Sequence, residues 1–373
     1  MKLGILGGGQ LARMLALAAL PLGIRCKVLD PSPDAVAGHV AELLVGDYDD
    51  PRQLAELARG VDAVTFEFEN VPAAAIEALA NQLTPVAPNP RALAIAQDRI
   101  AEKTLFAQLG FGVPPFRAAD TAAELAAAIT AIGTPCLVKT RRLGYDGKGQ
   151  ARVAAGADPN HAAAAVLAEL RPDLPADRPA DLIVEGFVPF DRELSVLAVR
   201  SRRGEIAIYP LVQNVHRRGI LHLSTAPAPA VPAAVRAAAE RFVGDLLAHL
   251  DYVGVLAVEL FLVGDRLLAN EMAPRVHNSG HWTIEGARCS QFENHVRAVL
   301  DLPLGDPASN HPIAMMRNVV GSMPERAAVL AIPGAHWHDY GKAPRAGRKL
   351  GHVTVVAPDT STAEAILARV PEA

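Results

Sequence analysis

Two glutamates on one hairpin carry the clearest chemistry in the chain. Residues 254–262 form an apolar run broken by Glu259. Val263-Gly264-Asp265 reads as a turn, and 266–271 as a return strand ending in Asn270-Glu271. A hairpin symmetric about residue 265 pairs positions whose numbers sum to 530, as 259 and 271 do. The two carboxylates would then face each other with Cβ atoms ~4.5–5.5 Å apart. Like charges there destabilise the sheet unless a cation lies between them. Glu259 and Glu271 beside an amide make an all-oxygen site suited to magnesium. A one-residue slip would instead turn one glutamate to solvent. The next twelve residues, 272–283, are dense in polar groups: Arg275, His277, Asn278 and His281. The two histidines are four apart, but Pro274 and Gly280 argue against a helix there, so substrate contact or structural hydrogen bonding is expected rather than zinc.

Phosphate-binding chemistry recurs elsewhere. Lys139 lies in an expected strand, 135–140, and Arg141-Arg142-Leu143-Gly144-Tyr145-Asp146-Gly147-Lys148-Gly149-Gln150 follows. Glycines give the backbone close access to an anion, and the cations neutralise it. The spacing is not that of a Walker A loop. Lys342, Arg345, Arg348 and Lys349 form a second basic turn. Either turn read alone also fits a solvated basic loop. Glu185-Gly186-Phe187-Val188 ends a short apolar strand and fits the hinge of an ATP site. At the N-terminus, Gly7-Gly8-Gly9-Gln10-Leu11-Ala12 fits G-x-G-x-x-A, with Asp30 21 residues beyond Gly9. That pattern allows a dinucleotide, another phosphate, or a tight turn without ligand. His336-Trp337-His338 has no evident metal partner and is read as packing.

These groups must be positioned by an α/β framework. Residues 1–98 read as alternating strands and helices, which argues for a doubly wound parallel sheet. Residues 99–190 read as a lid region, 191–305 as a central domain holding the glutamate hairpin, and 306–373 as a small β-rich cap. The 373 residues suit several domains. With 36 basic and 40 acidic residues the formal charge is −4, which leaves no footprint for nucleic acid or a membrane surface. Three scattered cysteines exclude a disulfide framework and fit a reducing cytoplasm. No signal peptide or membrane span is expected.

Taken together, the chain resembles the ATP-grasp carboxylate–amine ligases, and within them the N5-carboxyaminoimidazole ribonucleotide synthetases. The resemblance runs nearly end to end. It is carried by Gly7-Gly8-Gly9-Gln10-Leu11 with Arg13-Met14, residues 66–72, residues 144–150, Asn270-Glu271, Gly347-Arg348-Lys349-Leu350-Gly351-His352 and, most specifically, residues 273–283. It implies an ATP-grasp fold and an ATP- and bicarbonate-dependent carboxylation of 5-aminoimidazole ribonucleotide through carboxyphosphate, with magnesium or manganese. It implies Glu259 and Glu271 as metal ligands with Asn270 beside them. Arg99, Lys139, residues 144–150, Glu185, Gly186, Phe187, Val188, Glu193, His216, Asn270 and Glu271 would serve ATP. Gln10, Leu11, Glu69, Tyr145, Asp146, Asn278, Lys342, Arg345, Arg348 and Lys349 would serve the ribonucleotide. Arg275, Lys139, Asn270, His277 and His281 would take part in catalysis. A homodimer that passes its product to a separate mutase is also implied. Ala12 and Ala346 depart from a usual glycine and a usual proline, and the chain ends early. The alternatives are another ATP-grasp ligase, such as a formate-dependent glycinamide ribonucleotide transformylase or a biotin carboxylase, an NAD-dependent dehydrogenase, or an inactive nucleotide-binding regulator.

Overall fold

The computed structural model describes residues 1–80, 84–144, 147–175 and 178–371. The first sheet is parallel. It contains β1 (Lys2–Leu6), β2 (Arg25–Asp30), β3 (Glu42–Val45) and β4 (Ala63–Phe66) in the order β3-β2-β1-β4. The expected parallel sheet is present. β3 goes beyond the sequence expectation, because so short a strand is too brief to show a period. The helix Gln10–Ala19 starts directly after the glycines. Pro51 opens the helix Pro51–Ala58, where its missing N–H costs nothing, and Asp50 caps it by accepting from the Arg52 N–H.

The second sheet is antiparallel, with β5 (Phe116–Ala119), β6 (Cys136–Thr140), β7 (Gln150–Val153) and β8 (Leu182–Gly186) in the order β5-β8-β6-β7. The Ala-rich helices Ala122–Ile132 and Pro159–Leu170 share a core with it through Leu125, Ile129, Val138, Val166 and Val184. The glycine-rich loop 141–149 joins β6 to β7 and so leaves from a rigid base.

The third sheet spans the rest of the chain. Its strands are β9 (Arg192–Arg200), β10 (Ile206–Ile208), β11 (Val212–Arg217), β12 (Ile220–Ala226), β13 (Gly254–Val263), β14 (Arg266–Ala273), β15 (Ile313–Val320), β16 (Ala335–Asp339) and β17 (Lys349–Ala357). The order is β14-β13-β9-β11-β12-β15-β17-β16, with β10 beside β9. The C-terminal strands therefore extend the central sheet through the β12–β15 pairing rather than forming a sheet of their own. Alternation explains the apolar run around Glu259. Leu256, Val258 and Leu260 pack beneath the helix Ala233–His249, while Ala257, Glu259 and Phe261 point to the opposite face and line a large cavity.

Candidate active site

A cavity of about 980 Å³ is bounded by all four segments of the chain. Gln10, Leu11 and Glu69 form one wall, Lys139 and the glycine-rich loop a second, the β13–β14 hairpin the floor, and the basic turn 342–349 the far rim.

The hairpin pairs Glu259 with Glu271, as expected, but by a different route. Its turn is the two residues Gly264-Asp265, so Val263 pairs with Arg266 and Leu260 with Ala269. A bulge between Glu259 and Leu260 then absorbs Asn270 and brings Glu271 opposite Glu259. The bulge also lets Asn270 and Glu271, neighbours in sequence, both line the cavity, which an unbroken strand would not allow. Asn270 Oδ1 is buried with no hydrogen-bond partner among the described residues. Burial and the charge of Glu271 push the Glu259 carboxyl up to about 7. Burial opposes ionisation of Glu271 too, but Arg99 and Lys139 hold it down to about 2. Arg99 Nη1 donates to Glu271 Oε2 at 2.7 Å. An unsatisfied amide oxygen between two crowded carboxylates is a donor set for a hard divalent cation. Among the described residues no cluster of three His, Cys, Asp or Glu forms a metal site, so such a cation would rely on the amide and on ligand oxygens as well.

Behind the hairpin lies a buried ionic group. Lys139 Nζ donates to Glu185 Oε2 at 2.9 Å, and Lys103 Nζ lies 3.4 Å from Glu185 Oε1. Lys103 also donates to the Asn270 carbonyl at 2.9 Å, and Glu102 accepts from the Met272 N–H at 2.5 Å. Both come from the helix Arg99–Gln108, whose N-cap Asp98 pairs with Arg141 and Arg142 at the root of the glycine-rich loop. His216 Nδ1 lies 2.9 Å from Glu193 Oε2, and burial notwithstanding, that carboxylate keeps the imidazole above its ordinary value.

The loop after the hairpin is fixed from below. Gln291 accepts from the His277 N–H at 2.9 Å and donates to the His277 carbonyl at 2.7 Å. Asn278 and Asn318 exchange side-chain hydrogen bonds at 3.0 and 2.7 Å. Arg275 donates through Nε to Glu69. His277 Nε2 sits 3.6 Å from Glu259 Oε1, and burial with the nearby Arg275 drives its pKa down to about 3, so the ring is neutral. On the far rim, Arg348 N–H donates to the Arg345 carbonyl at 3.0 Å across a turn in which Gly347 takes φ +72°. That left-handed conformation suits glycine.

Comparison with known proteins decides the family. Residues 1–97 match the ribonucleotide synthetase preATP-grasp domain, 104–292 the ATP-grasp domain, and 314–366 the phosphoribosylaminoimidazole carboxylase C-terminal domain. The N5-carboxyaminoimidazole ribonucleotide synthase of Pseudomonas aeruginosa is 51% identical over 370 residues, covering 99% of this chain and 98% of that protein. The chain belongs to the N5-carboxyaminoimidazole ribonucleotide synthase family. The crystal structure of the Thermus thermophilus synthetase superposes with a TM-score of 0.91 at 51% identity, over 98% of this chain and 97% of that one. An Aspergillus clavatus synthase in complex with ADP and 5-aminoimidazole ribonucleotide gives 0.88 at 33% identity, over 98% and 96%.

Within this synthase fold, most of the expected residues meet at the cavity. Gln10, Leu11, Glu69, Arg99, Lys139, Gly144, Gly147, Lys148, Gly149, Gln150, Glu193, His216, Glu259, Asn270, Glu271, Arg275, His277, Asn278, Lys342, Arg345, Arg348 and Lys349 all line it. Tyr145 and Asp146 lie outside the described residues. Glu185 does not line the cavity; it is buried behind Lys139. Gly186, Phe187 and Val188 are not among the lining residues either, and the Arg152 guanidinium sits over the Phe187 ring at 4.6 Å. His281 does not line the cavity either. It is 1% exposed, hydrogen-bonds Gln291 and packs against Phe292, Tyr340 and His352. Its place is under the loop, where a polar stretch needs a core anchor.

The dinucleotide reading of the glycine loop is overturned. The Gly9, Leu11 and Ala12 N–H groups donate to Glu67, and the Gly8 N–H to Asp30, which also accepts from Tyr48. The donors a pyrophosphate would use are already taken by the chain itself. Glu67, Glu102 and Lys103 carry no sequence signal of their roles. Their partners lie 55 to 170 positions away, so no local pattern marks them.

Proposed function

We propose that the chain carboxylates 5-aminoimidazole ribonucleotide with ATP and bicarbonate, giving N5-carboxyaminoimidazole ribonucleotide, ADP and phosphate in purine synthesis. The carrying observation is one cavity that places the Glu259–Asn270–Glu271 hairpin and Lys139 across from the basic turn 342–349. A bicarbonate oxygen attacks the γ-phosphorus and the bond to ADP breaks, forming carboxyphosphate. The exocyclic amine then attacks the carboxyl carbon directly, or CO₂ released from it. Phosphate leaves and the amine loses a proton.

Glu259, Glu271 and the unsatisfied Asn270 amide would hold magnesium, which when bound supplies charge neutralisation to the phosphates. Lys139, locked by Glu185, presents its ammonium to the same phosphates, with Lys148 and the glycine-rich loop above. Arg99 exchanges its bond to Glu271 for ATP oxygens. Glu193 and His216 border the ribose end of the ATP. Arg275, held by Glu69, stabilises the carboxyphosphate, with neutral His277 beside it as a hydrogen-bonding group. Gln10, Leu11, Glu69 and Asn278 hold the ribonucleotide, together with Tyr145 and Asp146, and Lys342, Arg345, Arg348 and Lys349 bind its phosphate. His281 positions the His277–Asn278 stretch through Gln291 rather than touching substrate. The proposal extends to a cytoplasmic homodimer that hands its product to a separate mutase. Among the described residues no helix is long and apolar enough to cross a membrane.

The test is phosphate release from Mg-ATP with bicarbonate, with and without 5-aminoimidazole ribonucleotide. Strong stimulation that disappears without bicarbonate is expected. No stimulation of the folded protein overturns the acceptor assignment, and stimulation by glycinamide ribonucleotide with formate would install the transformylase in its place.

A further inference from the structure

We propose that Glu67 is an internal anion that plugs the helix N-terminus of the glycine loop, and so acts as a positioning residue for the ribonucleotide; this rests on the function proposed above. Glu67 follows β4 and lines the cavity beside Gln10 and Leu11. Its Oε1 accepts from the Gly9 N–H at 2.6 Å, and its Oε2 from the Leu11 and Ala12 N–H groups at 3.0 Å each. These are the free donors at the start of the helix Gln10–Ala19, where a bound phosphate is ordinarily welcomed.

The fit is tight enough to dictate the sequence around it. A Cβ on Gly9 would collide with Glu67 Oε1, and one on Gly7 would lie 2.5 Å from Glu67 Cγ. Gly9 itself has φ −77°, a conformation open to any residue, so glycine is required there by the carboxylate and not by the backbone. The plug has two consequences. The substrate phosphate is turned away from the helix N-terminus and toward the cations of the basic turn. The backbone carrying Gln10 is also held still, and the Gln10 side chain accepts from Lys342 of that turn. Glu67, the loop, Gln10 and Lys342 thus form one connected set across the first and last segments.

The test separates the KM for ribonucleotide from the KM for ATP in Glu67→Gln. A glutamine keeps one acceptor oxygen and sets an NH₂ group against backbone donors that the second oxygen had satisfied. Losing a charge-assisted contact of this kind corresponds to about a 10- to 100-fold rise in the ribonucleotide KM. The KM for ATP is expected to stay within about twofold. Gly9→Ala gives the same split while preserving every charge, because its methyl displaces only the carboxylate, and it serves if Glu67→Gln does not fold. An unchanged ribonucleotide KM in a folded variant overturns the proposal. So does an equal rise in both KM values, which would mark general damage to the cavity. Failure of the function itself is recognised separately, because the unmodified protein would then show no ribonucleotide-stimulated phosphate release.

Discussion

At the scale of single residues, the site concentrates charge where water is scarce, and its members are not interchangeable. Glu271 faces Glu259 across the hairpin and also receives Arg99. Glu271→Gln keeps the shape and removes one of the two charges proposed to hold the cation. We expect kcat for Mg-ATP turnover to fall at least about a hundredfold, with the circular dichroism spectrum unchanged. Near-normal turnover would refute the metal assignment. Lys103 tests the layer beneath. It is fully buried, holds the bulge carbonyl of Asn270 and pairs with Glu185. Lys103→Met leaves Glu185 with Lys139 alone, and breaking a buried pair from one side costs about 3–5 kcal/mol. Urea unfolding at neutral pH should show that loss, and a value below about 1 kcal/mol would mean the triad is not a structural unit. The difference in legibility between these residues is physical. Glu259 and Glu271 could be read from sequence because a hairpin is local, even though the bulge between Glu259 and Leu260 shifts the register that a regular strand would keep. Lys103, Glu102 and Glu67 could not, because each finds its partner 55 or more positions away along the chain.

Secondary elements explain how an approximate reading reached the right pair. Symmetry about residue 265 predicted the Glu259–Glu271 pairing, yet the turn has only two central residues. The bulge at Asn270 supplies the missing position. Nothing in the letters of 266–273 announces a bulge, since it is selected by what the cavity needs and by Lys103 holding the carbonyl. The helix Gln291–Val299, whose N-cap Ser290 accepts from the Glu293 N–H, acts as a clamp. His295 on that helix accepts the Val255 N–H through Nδ1 at 3.0 Å and meets Thr65 of β4 at 2.8 Å. It therefore ties the first sheet to the third. Burial lowers its pKa to about 4. Between pH ~6.5 and 4 the unfolded chain binds a proton that the native ring refuses, so stability falls as pH drops through that window. The loss from His295 alone approaches roughly 3 kcal/mol, and the buried His281 and His352, also depressed, add to it. Urea midpoints measured from pH 7.5 to 4.5 should fall steadily, and His295→Gln should flatten the fall. An unchanged slope in that variant would show that His295 is not a source of the acid sensitivity.

The whole molecule carries a net charge of −4, while four cations crowd the rim of its cavity on one turn. Such a contrast matters for a doubly charged phosphate arriving from solution. The acidic hairpin sits on the cavity floor, and the basic turn is tethered to the opposite wall. Arg13 donates to the Asp339 carbonyl at 2.5 Å and Lys342 reaches Gln10, so side-chain hydrogen bonds join the N-terminal segment to the last strands and the basic turn. On the proposed function, the ATP phosphates would meet a cation held by the acidic hairpin together with Lys139, Arg99 and Lys148, whereas the ribonucleotide phosphate would meet protein cations alone. Exposed charges act over a Debye length of about 8 Å at physiological salt, and a charged cleft speeds encounter by about tenfold or more at low salt. We therefore expect kcat/KM for the ribonucleotide to fall about tenfold between ~20 and ~300 mM potassium chloride, measured at saturating Mg-ATP. The double substitution Lys342→Gln with Arg348→Gln should lower the low-salt value and leave it nearly flat against salt. If the double variant keeps the full slope, the attraction originates elsewhere in the cavity, and the basic turn is not where the phosphate lands.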